Sequence, residues 1–130
     1  IINKFLKNYA DHNKILINIS SGAANKAIAS WSIYCATKAS LDRITEVIAK
    51  ENHKNLKLYS IHPGVVNTDM QKMIRSSKHK NFPLLNKFTN YYTKNKLETT
   101  RVVALKLLFI IENTTKFTQN IISIRDIYIK

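Results

Sequence analysis

The chain has 130 residues, 45% of them apolar, with 21 Lys and Arg against 8 Asp and Glu and a formal charge of +13. Cys35 is the single cysteine, so these residues hold no disulfide, and no apolar run approaches the ~18 residues of a membrane helix. Composition therefore excludes a disulfide scaffold and a membrane-spanning helix, and it fits an α/β domain of a reducing, cytoplasmic compartment.

In chain order, Ile2 to Tyr9 reads as the end of a helix. Ile15-Leu16-Ile17-Asn18-Ile19 follows, a run of β-branched and large apolar residues with the composition of a parallel strand buried on both faces, and Ser20-Ser21-Gly22-Ala23-Ala24 ends it. From about Ser32 to Lys50, Leu41, Ile44, Val47 and Ile48 recur at helical spacing, with Ala36 and Ala39 on the first turns. A second apolar run, Leu56 to Ile61, breaks at His62-Pro63-Gly64-Val65-Val66-Asn67-Thr68-Asp69-Met70. In open α/β sheets, ligands bind beyond the carboxyl ends of strands, so two strands deliver polar loops to one such edge. Leu97-Glu98-Thr99-Thr100 opens another helix reaching about Asn113, with Thr99 or Thr100 as N-cap and an apolar face of Val102, Val103, Leu105, Leu108 and Phe109. The β-rich run from Ile121 to Ile129 is expected to form the last strand.

Chemistry concentrates at Tyr34 and Lys38, four residues apart, with Ser21 thirteen residues before Tyr34 at the end of the first strand. An ammonium one helical turn from a phenol favours the phenolate, which suits the tyrosine to proton exchange near neutral pH. The Ser21 hydroxyl could hold the oxygen of a carbonyl or alcohol meanwhile. Spacing alone is a weak signal, since this composition yields about 0.8 Tyr-x-x-x-Lys matches by chance. Tyr92 and Lys96 form a second match, but His79 stands thirteen residues before Tyr92 and no β-like run ends there.

Together with these residues, Asn18-Ile19-Ser20-Ser21, Trp31-Ser32-Ile33-Tyr34-Cys35-Ala36-Thr37-Lys38-Ala39 and Pro63-Gly64-Val65-Val66-Asn67-Thr68-Asp69-Met70-Gln71 resemble the short-chain dehydrogenase/reductase family, and within it the sepiapterin reductase and benzil reductase branch. The resemblance implies the C-terminal part of a Rossmann-like doubly wound parallel sheet, strands 5 to 7 with their flanking helices, over residues 1–130. It implies an NADP-dependent carbonyl reductase, with NAD as the alternative cofactor. Tyr34 would be the general acid in reduction, Lys38 would assist it and hold the nicotinamide ribose, and Ser21 would orient the substrate oxygen. Pro63, Gly64, Val66, Asn67, Thr68, Asp69, Met70 and Gln71 would form the cofactor loop; Trp31 would wall the substrate pocket and Gly64 let ring or substrate approach. For Asp69, capping of the following short helix competes with cofactor contact.

The family's glycine-rich dinucleotide turn has no counterpart here, because Gly22 and Gly64 are the only glycines and neither can supply it. These residues are therefore expected to be the C-terminal half of a longer domain, inactive alone, with the first strand left as an unpaired edge, and to act as a homodimer or homotetramer when intact. Sepiapterin reductases anchor the pterin amine with an aspartate near the last strand. This chain offers Ser123 there, with Asp126 three residues on, a departure that favours another small-molecule carbonyl substrate.

Between Met70 and Leu97, Lys72, Arg75, Lys78, Lys80, Lys87, Lys94 and Lys96 meet no acid, and Phe82, Phe88, Tyr91 and Tyr92 are interleaved. Solvated charge is the plainest account, and Ile, Lys and Asn enrichment fits an A/T-rich coding sequence. The resemblance places a substrate lid there, in which aromatics exclude water. Nucleic acid is a weaker alternative, as is a non-catalytic member of the fold that binds an anionic partner through this stretch. His12, His53, His62 and His79 lack metal-ligand spacing, so no metal site is expected. Cys35 reads as packing, since a nucleophilic cysteine needs a base partner.

Overall fold

The computed structural model describes residues 2–9 and 11–129. Three parallel strands, β1 (Lys14–Ile19), β2 (Leu56–His62) and β3 (Ile121–Ser123), lie side by side in the order β1-β2-β3. Ile19 pairs with Ile61, and His62 with Ser123. Parallel neighbours require crossovers. The first is α2 (Ser32–Lys50); the second carries α3 (Asp69–Arg75), α4 (Leu85–Thr93) and α5 (Thr100–Glu112), while α1 (Ile2–Asn8) precedes β1. This is the parallel sheet with flanking helices expected of strands 5 to 7, and β1 is its edge, with Ile15 and Ile19 exposed.

The helix over Ser32 to Lys50 forms with the expected limits, and left-handed Asn52 and Asn55, at φ 53° and 57°, turn the chain back into β2. Its buried stripe differs from the expectation. Asp42, Thr45 and Ile48 face inward, whereas Ile44 and Val47 are exposed. α5 is also rotated about its axis: Val103 and Ile110 are buried with Leu107 packed beside them, and Val102, Leu105 and Leu108 face outward. Residues 103, 107 and 110 keep the i, i+4, i+7 spacing of one helix face, so an all-round apolar sequence left two stripes available and the sheet selected one.

The strand over Ile121 to Ile129 is shorter than expected. It stops at Ser123, whose hydroxyl accepts from the Arg125 N–H at 3.3 Å and turns 124–126 into a 3-10 helix. Local side-chain capping outcompetes the ladder there. Ile124 and Ile127 still join Tyr59, Ile61, Val103, Ile110 and Ile122 in the main core.

A second cluster forms under the basic segment. Ile74, Phe82 and Phe88 are buried, with Trp31, Val65, Leu84, Leu85 and Tyr91 packed against them. The aromatics of that segment thus build a small core over the start of α2.

Candidate active site

β1 ends in Ser20 and Ser21, and the chain then makes a 3-10 turn at 22–25 with Ser21 as its N-cap. The Ser21 oxygen accepts the Ala23 N–H at 3.1 Å. That bond occupies a lone pair and leaves the hydroxyl proton free to donate to an incoming oxygen. Ser30, at φ 68°, turns the chain into α2, whose first turn carries Trp31 at the N-cap and then Tyr34.

Tyr34 sits between two partners. Trp31 meets its ring edge-on, with centroids 5.2 Å apart, and the Lys38 ammonium stands 5.8 Å from its centroid. The same ammonium donates to the Ile19 carbonyl at 2.8 Å, across the gap to the strand that bears Ser21. Two of its three protons remain for other acceptors. Ser21, Trp31, Tyr34 and Lys38 are all half-buried, in reach of solvent. Trp31 also stacks on Phe82, with centroids 5.0 Å apart and planes 6° from parallel, which joins the start of α2 to the second core cluster.

β2 delivers the second loop. Gly64 has φ 77°, and a Cβ built there would lie 3.1 Å from Arg125 Nε, so both backbone and space favour glycine. The loop is tied down further on: Glu98 N–H donates to Val65 O at 3.0 Å and Asn67 N–H to Glu98 O at 2.9 Å, around a bridge between Val66 and Glu98. Asn67 thus spends its N–H within the fold. Pro63, Gly64 and Val66 are half-buried, while Asn67, Thr68, Asp69 and Met70 are exposed. Capping by Asp69 is not what forms. The N-cap of α3 is Thr68, without a side-chain cap bond, and the Asp69 carboxylate accepts from Lys72 at 2.8 Å. That ammonium holds the Asp69 carboxyl below its ordinary value. Gln71 is buried, and its Oε1 has no hydrogen-bond partner among the described residues.

Beneath the two loops lies a polar layer that sequence reasoning missed. Ser60 donates to Asp42 Oδ1 at 2.6 Å, and His62 Nε2 lies 2.8 Å from Asp42 Oδ2. Ser20 donates to the Lys38 carbonyl at 3.2 Å, and Asn18 Nδ2 to Thr45 Oγ1 at 2.9 Å. Burial pushes the Asp42 carboxyl up, but the polar side chains of Ser20, Ser60 and His62 around it outweigh that and hold the carboxyl below its ordinary value. The signal was present in part: Asp42 follows Lys38 by one turn, and Ser60 and His62 alternate with apolar residues in β2. No group of three candidate metal ligands exists among the described residues.

Two open hollows of about 540 and 290 Å³, lined by residues such as Arg43, Lys50, Asn52 and Asn120 or Leu56, Tyr59 and Thr114, lie at the opposite, amino-terminal end of the sheet. Strand direction argues against them as ligand sites. Phe82 and Phe88, proposed for base stacking, are buried and closed to nucleic acid, and Arg75 covers the Tyr92 ring at 4.1 Å. No helix among the described residues is long and apolar enough to cross a membrane.

A serine just past the end of β1, an i, i+4 tyrosine and lysine on the crossover helix, and a Pro-Gly loop from the adjacent parallel strand lie at the carboxyl edge of a parallel sheet with flanking helices. The family profile described as short chain dehydrogenase matches residues 2–79. The benzil reductase ((S)-benzoin forming) of Bacillus subtilis is 34% identical over 117 residues, 86% of this chain and 48% of the relative. A sepiapterin reductase of Xenopus tropicalis is 33% identical over 103 residues, 78% of this chain and 38% of the relative. Among solved structures, the KRED1-Pglu enzyme superposes with a TM-score of 0.78 at 28% identity, over 86% of this chain and 47% of that one. The chain belongs to the short-chain dehydrogenase/reductase family, with benzil and sepiapterin reductases among its relatives. It spans about half the length of the relatives it matches.

Proposed function

We propose that this chain carries the proton-transfer half of an NADP-dependent carbonyl reductase, with Tyr34 as proton donor, Lys38 as its electrostatic partner and Ser21 as the hydrogen-bond donor to the substrate oxygen. The observation that carries the reading is the position of the Lys38 ammonium, 2.8 Å from the Ile19 carbonyl and 5.8 Å from the Tyr34 ring, which joins the helix of the phenol to the strand of the serine. As the carbonyl is reduced, its oxygen gains charge and a proton. Ser21 steadies that oxygen with its free O–H, Tyr34 gives up the phenolic proton, and Lys38 stabilises the phenolate left behind. Trp31 restricts water beside the phenol.

The Lys38 ammonium supports a nicotinamide dinucleotide at this edge, since two of its donors are left for ribose hydroxyls. Gln71 Oε1 and, one turn on, Arg75 Nη1 are both buried without a hydrogen-bond partner among the described residues. Pro63, Gly64, Val66 and Thr68 would line the cofactor, and Asn67, Asp69 and Met70 would flank it. When bound, the reduced nicotinamide supplies the hydride. The choice of NADP over NAD and the glycine-rich phosphate turn belong to residues outside these 130, in a longer domain. A diketone or similar flat carbonyl compound suits the aromatic lid better than a pterin, because Ser123 stands where a pterin-anchoring acid is expected. The outward apolar residues of α2 and α5 support a homodimer or homotetramer, and the protein is proposed to be cytoplasmic.

Tyr34→Phe in the full-length protein tests the reading. With benzil as substrate and NADPH oxidation followed by absorbance, turnover should fall about 10²–10⁴-fold with NADPH binding retained. Undiminished turnover would remove Tyr34 from the mechanism and leave partner binding through the exposed lysines of 72–96 as the better account.

A further inference from the structure

The face of α2 that packs on the sheet is polar where an apolar one would serve stability as well. Asp42 and Thr45 are 5% and 0% exposed, and the strand residues opposite include Ser20 at 2%, Ser60 at 0% and His62 at 8%. Replacing both partners of a buried hydrogen bond with apolar side chains of similar shape can be nearly neutral or stabilising, so stability alone does not account for this layer. Its placement does. Asp42 lies two turns beyond Tyr34 and one beyond Lys38 on the same helix. One carboxylate oxygen takes the Ser60 hydroxyl at 2.6 Å, and the other meets His62 Nε2 at 2.8 Å. His62 is the last residue of β2 and is followed directly by Pro63 and Gly64. Ser20 ties the remaining element in, donating its hydroxyl to Lys38 O at 3.2 Å and its N–H to Ile61 O at 2.8 Å, next to Ser21.

We propose that Asp42, clamped by Ser60 and His62, is a positioning residue that sets the height of α2 against the ends of β1 and β2, and thereby the distance from Tyr34 and Lys38 to Ser21 and to the Pro63-Gly64 loop. The clamp touches no reacting atom. It acts because apolar helix–sheet contacts are non-directional, whereas two short hydrogen bonds accepted by one carboxylate from residues two apart on a strand favour a single register. Misplacement by about 1 Å costs up to about 10²-fold in such a site.

This inference rests on the proposed proton-transfer role of Tyr34, and its test separates the two. In the full-length protein, Asp42→Leu/His62→Leu should fold with a melting temperature close to wild type, the added apolar burial offsetting the orphaned Ser60 hydroxyl, while kcat falls by about 10-fold or more and NADPH affinity, read from the fluorescence of the bound nucleotide, drops with it. Asp42→Asn should recover kcat to within about threefold, because its amide can accept from Ser60 and donate to neutral His62, keeping both bonds. A folded double variant with wild-type kcat and nucleotide affinity would overturn the clamp. So would a loss of kcat that only follows the fraction unfolded. Should the double variant not fold, Ser60→Ala decides, since it removes one of the two bonds from a core that otherwise keeps its shape. A fall in kcat at unchanged KM for benzil supports the clamp, and an unchanged kcat refutes it. Tyr34→Phe is run alongside: an inactive Tyr34→Phe with an active double variant refutes the clamp alone, whereas an active Tyr34→Phe refutes the chemistry on which it rests.

Discussion

The two faces of β2 are built from opposite materials. Tyr59 and Ile61 point toward α5 and β3, into a core whose other members are Val103, Ile110, Ile122, Ile124 and Ile127. Ser60 and His62 point the other way, toward Asp42 of α2. The period-2 alternation of a strand makes this division possible within four consecutive residues. Apolar burial is non-directional and tolerates small shifts, so the α5 side supplies cohesion. Hydrogen bonds to a buried carboxylate are directional and costly to break, so the α2 side supplies registration, and the proposed catalytic groups sit on that side. Stability and placement are thus assigned to different faces of one strand.

Breaking the apolar face should have the largest effect on folding. Ile110 is fully buried, and Ile110→Ala should cost about 2–5 kcal/mol in denaturant unfolding of the full-length protein, through lost transfer energy and a residual cavity. If the division of labour holds, kcat per folded molecule stays at the wild-type level. A drop in kcat as large as that of the Asp42→Leu/His62→Leu variant would erase the distinction between the faces.

Acidity and alkalinity sharpen the same comparison with smaller effects. Asp42 has a folded-state value held down, so its contribution is present above the unfolded carboxylate value of about 3.9 and disappears as pH falls through the lower folded value. Tyr59 is the reverse case. Burial pushes its phenol up, and its hydroxyl donates to Thr114 O and Phe117 O at 3.2 Å each, so its contribution is present below about 10 and is lost as pH rises toward the folded value. Melting temperature against pH should therefore have an acid limb that flattens in Asp42→Asn and an alkaline limb that flattens in Tyr59→Phe. Identical limbs in wild type and variants would show that other groups control both.

The sequence disclosed the elements better than their orientation. Ser32 to Lys50 was legible because Ala, Leu and Ile recur with helical period, and the strand at Leu56 because a short apolar run ends at Pro-Gly. Which side of α2 faces the sheet was not legible. The hydrophobic pattern points to Ile44 and Val47, whereas the sheet takes Asp42 and Thr45, and a polar stripe can be inward only when strand partners at 60 and 62, far along the chain, supply its hydrogen bonds. The short last strand was hidden for a different reason: Ser123 is a β-compatible residue whose hydroxyl finds the Arg125 N–H and stops the ladder. Tyr34, Lys38 and Ser21 stand out in the sequence by context, a β-like run ending at the serine and a second run breaking at Pro-Gly, since the Tyr-Lys spacing alone recurs at Tyr92 and Lys96. The aromatic cluster was legible in composition alone, since aromatics between lysines fit a solvated stretch, a lid or a nucleic-acid surface, and none of these readings anticipates that Phe82 and Phe88 are buried against Trp31.

The smallest effects contrast two threonines at equivalent helix positions. Thr99 caps α5, its oxygen accepting the Val102 N–H at 3.2 Å, so Thr99→Ala should cost about 1 kcal/mol in unfolding and leave nucleotide binding unchanged. Thr68 occupies the same position before α3 but makes no cap bond, and its hydroxyl reaches only the Val66 carbonyl at 3.4 Å. With only this long bond inside the fold, in a loop tied down by Glu98, the Thr68 hydroxyl is proposed to serve a ligand. Thr68→Ala should therefore change the melting temperature by less than Thr99→Ala does, while weakening NADPH binding in a fluorescence titration by about threefold to tenfold, the worth of one hydrogen bond. Equal stability losses in the two variants, with nucleotide affinity unmoved in both, would mean that Thr68 is a second structural cap and that the loop from Pro63 binds cofactor through other groups.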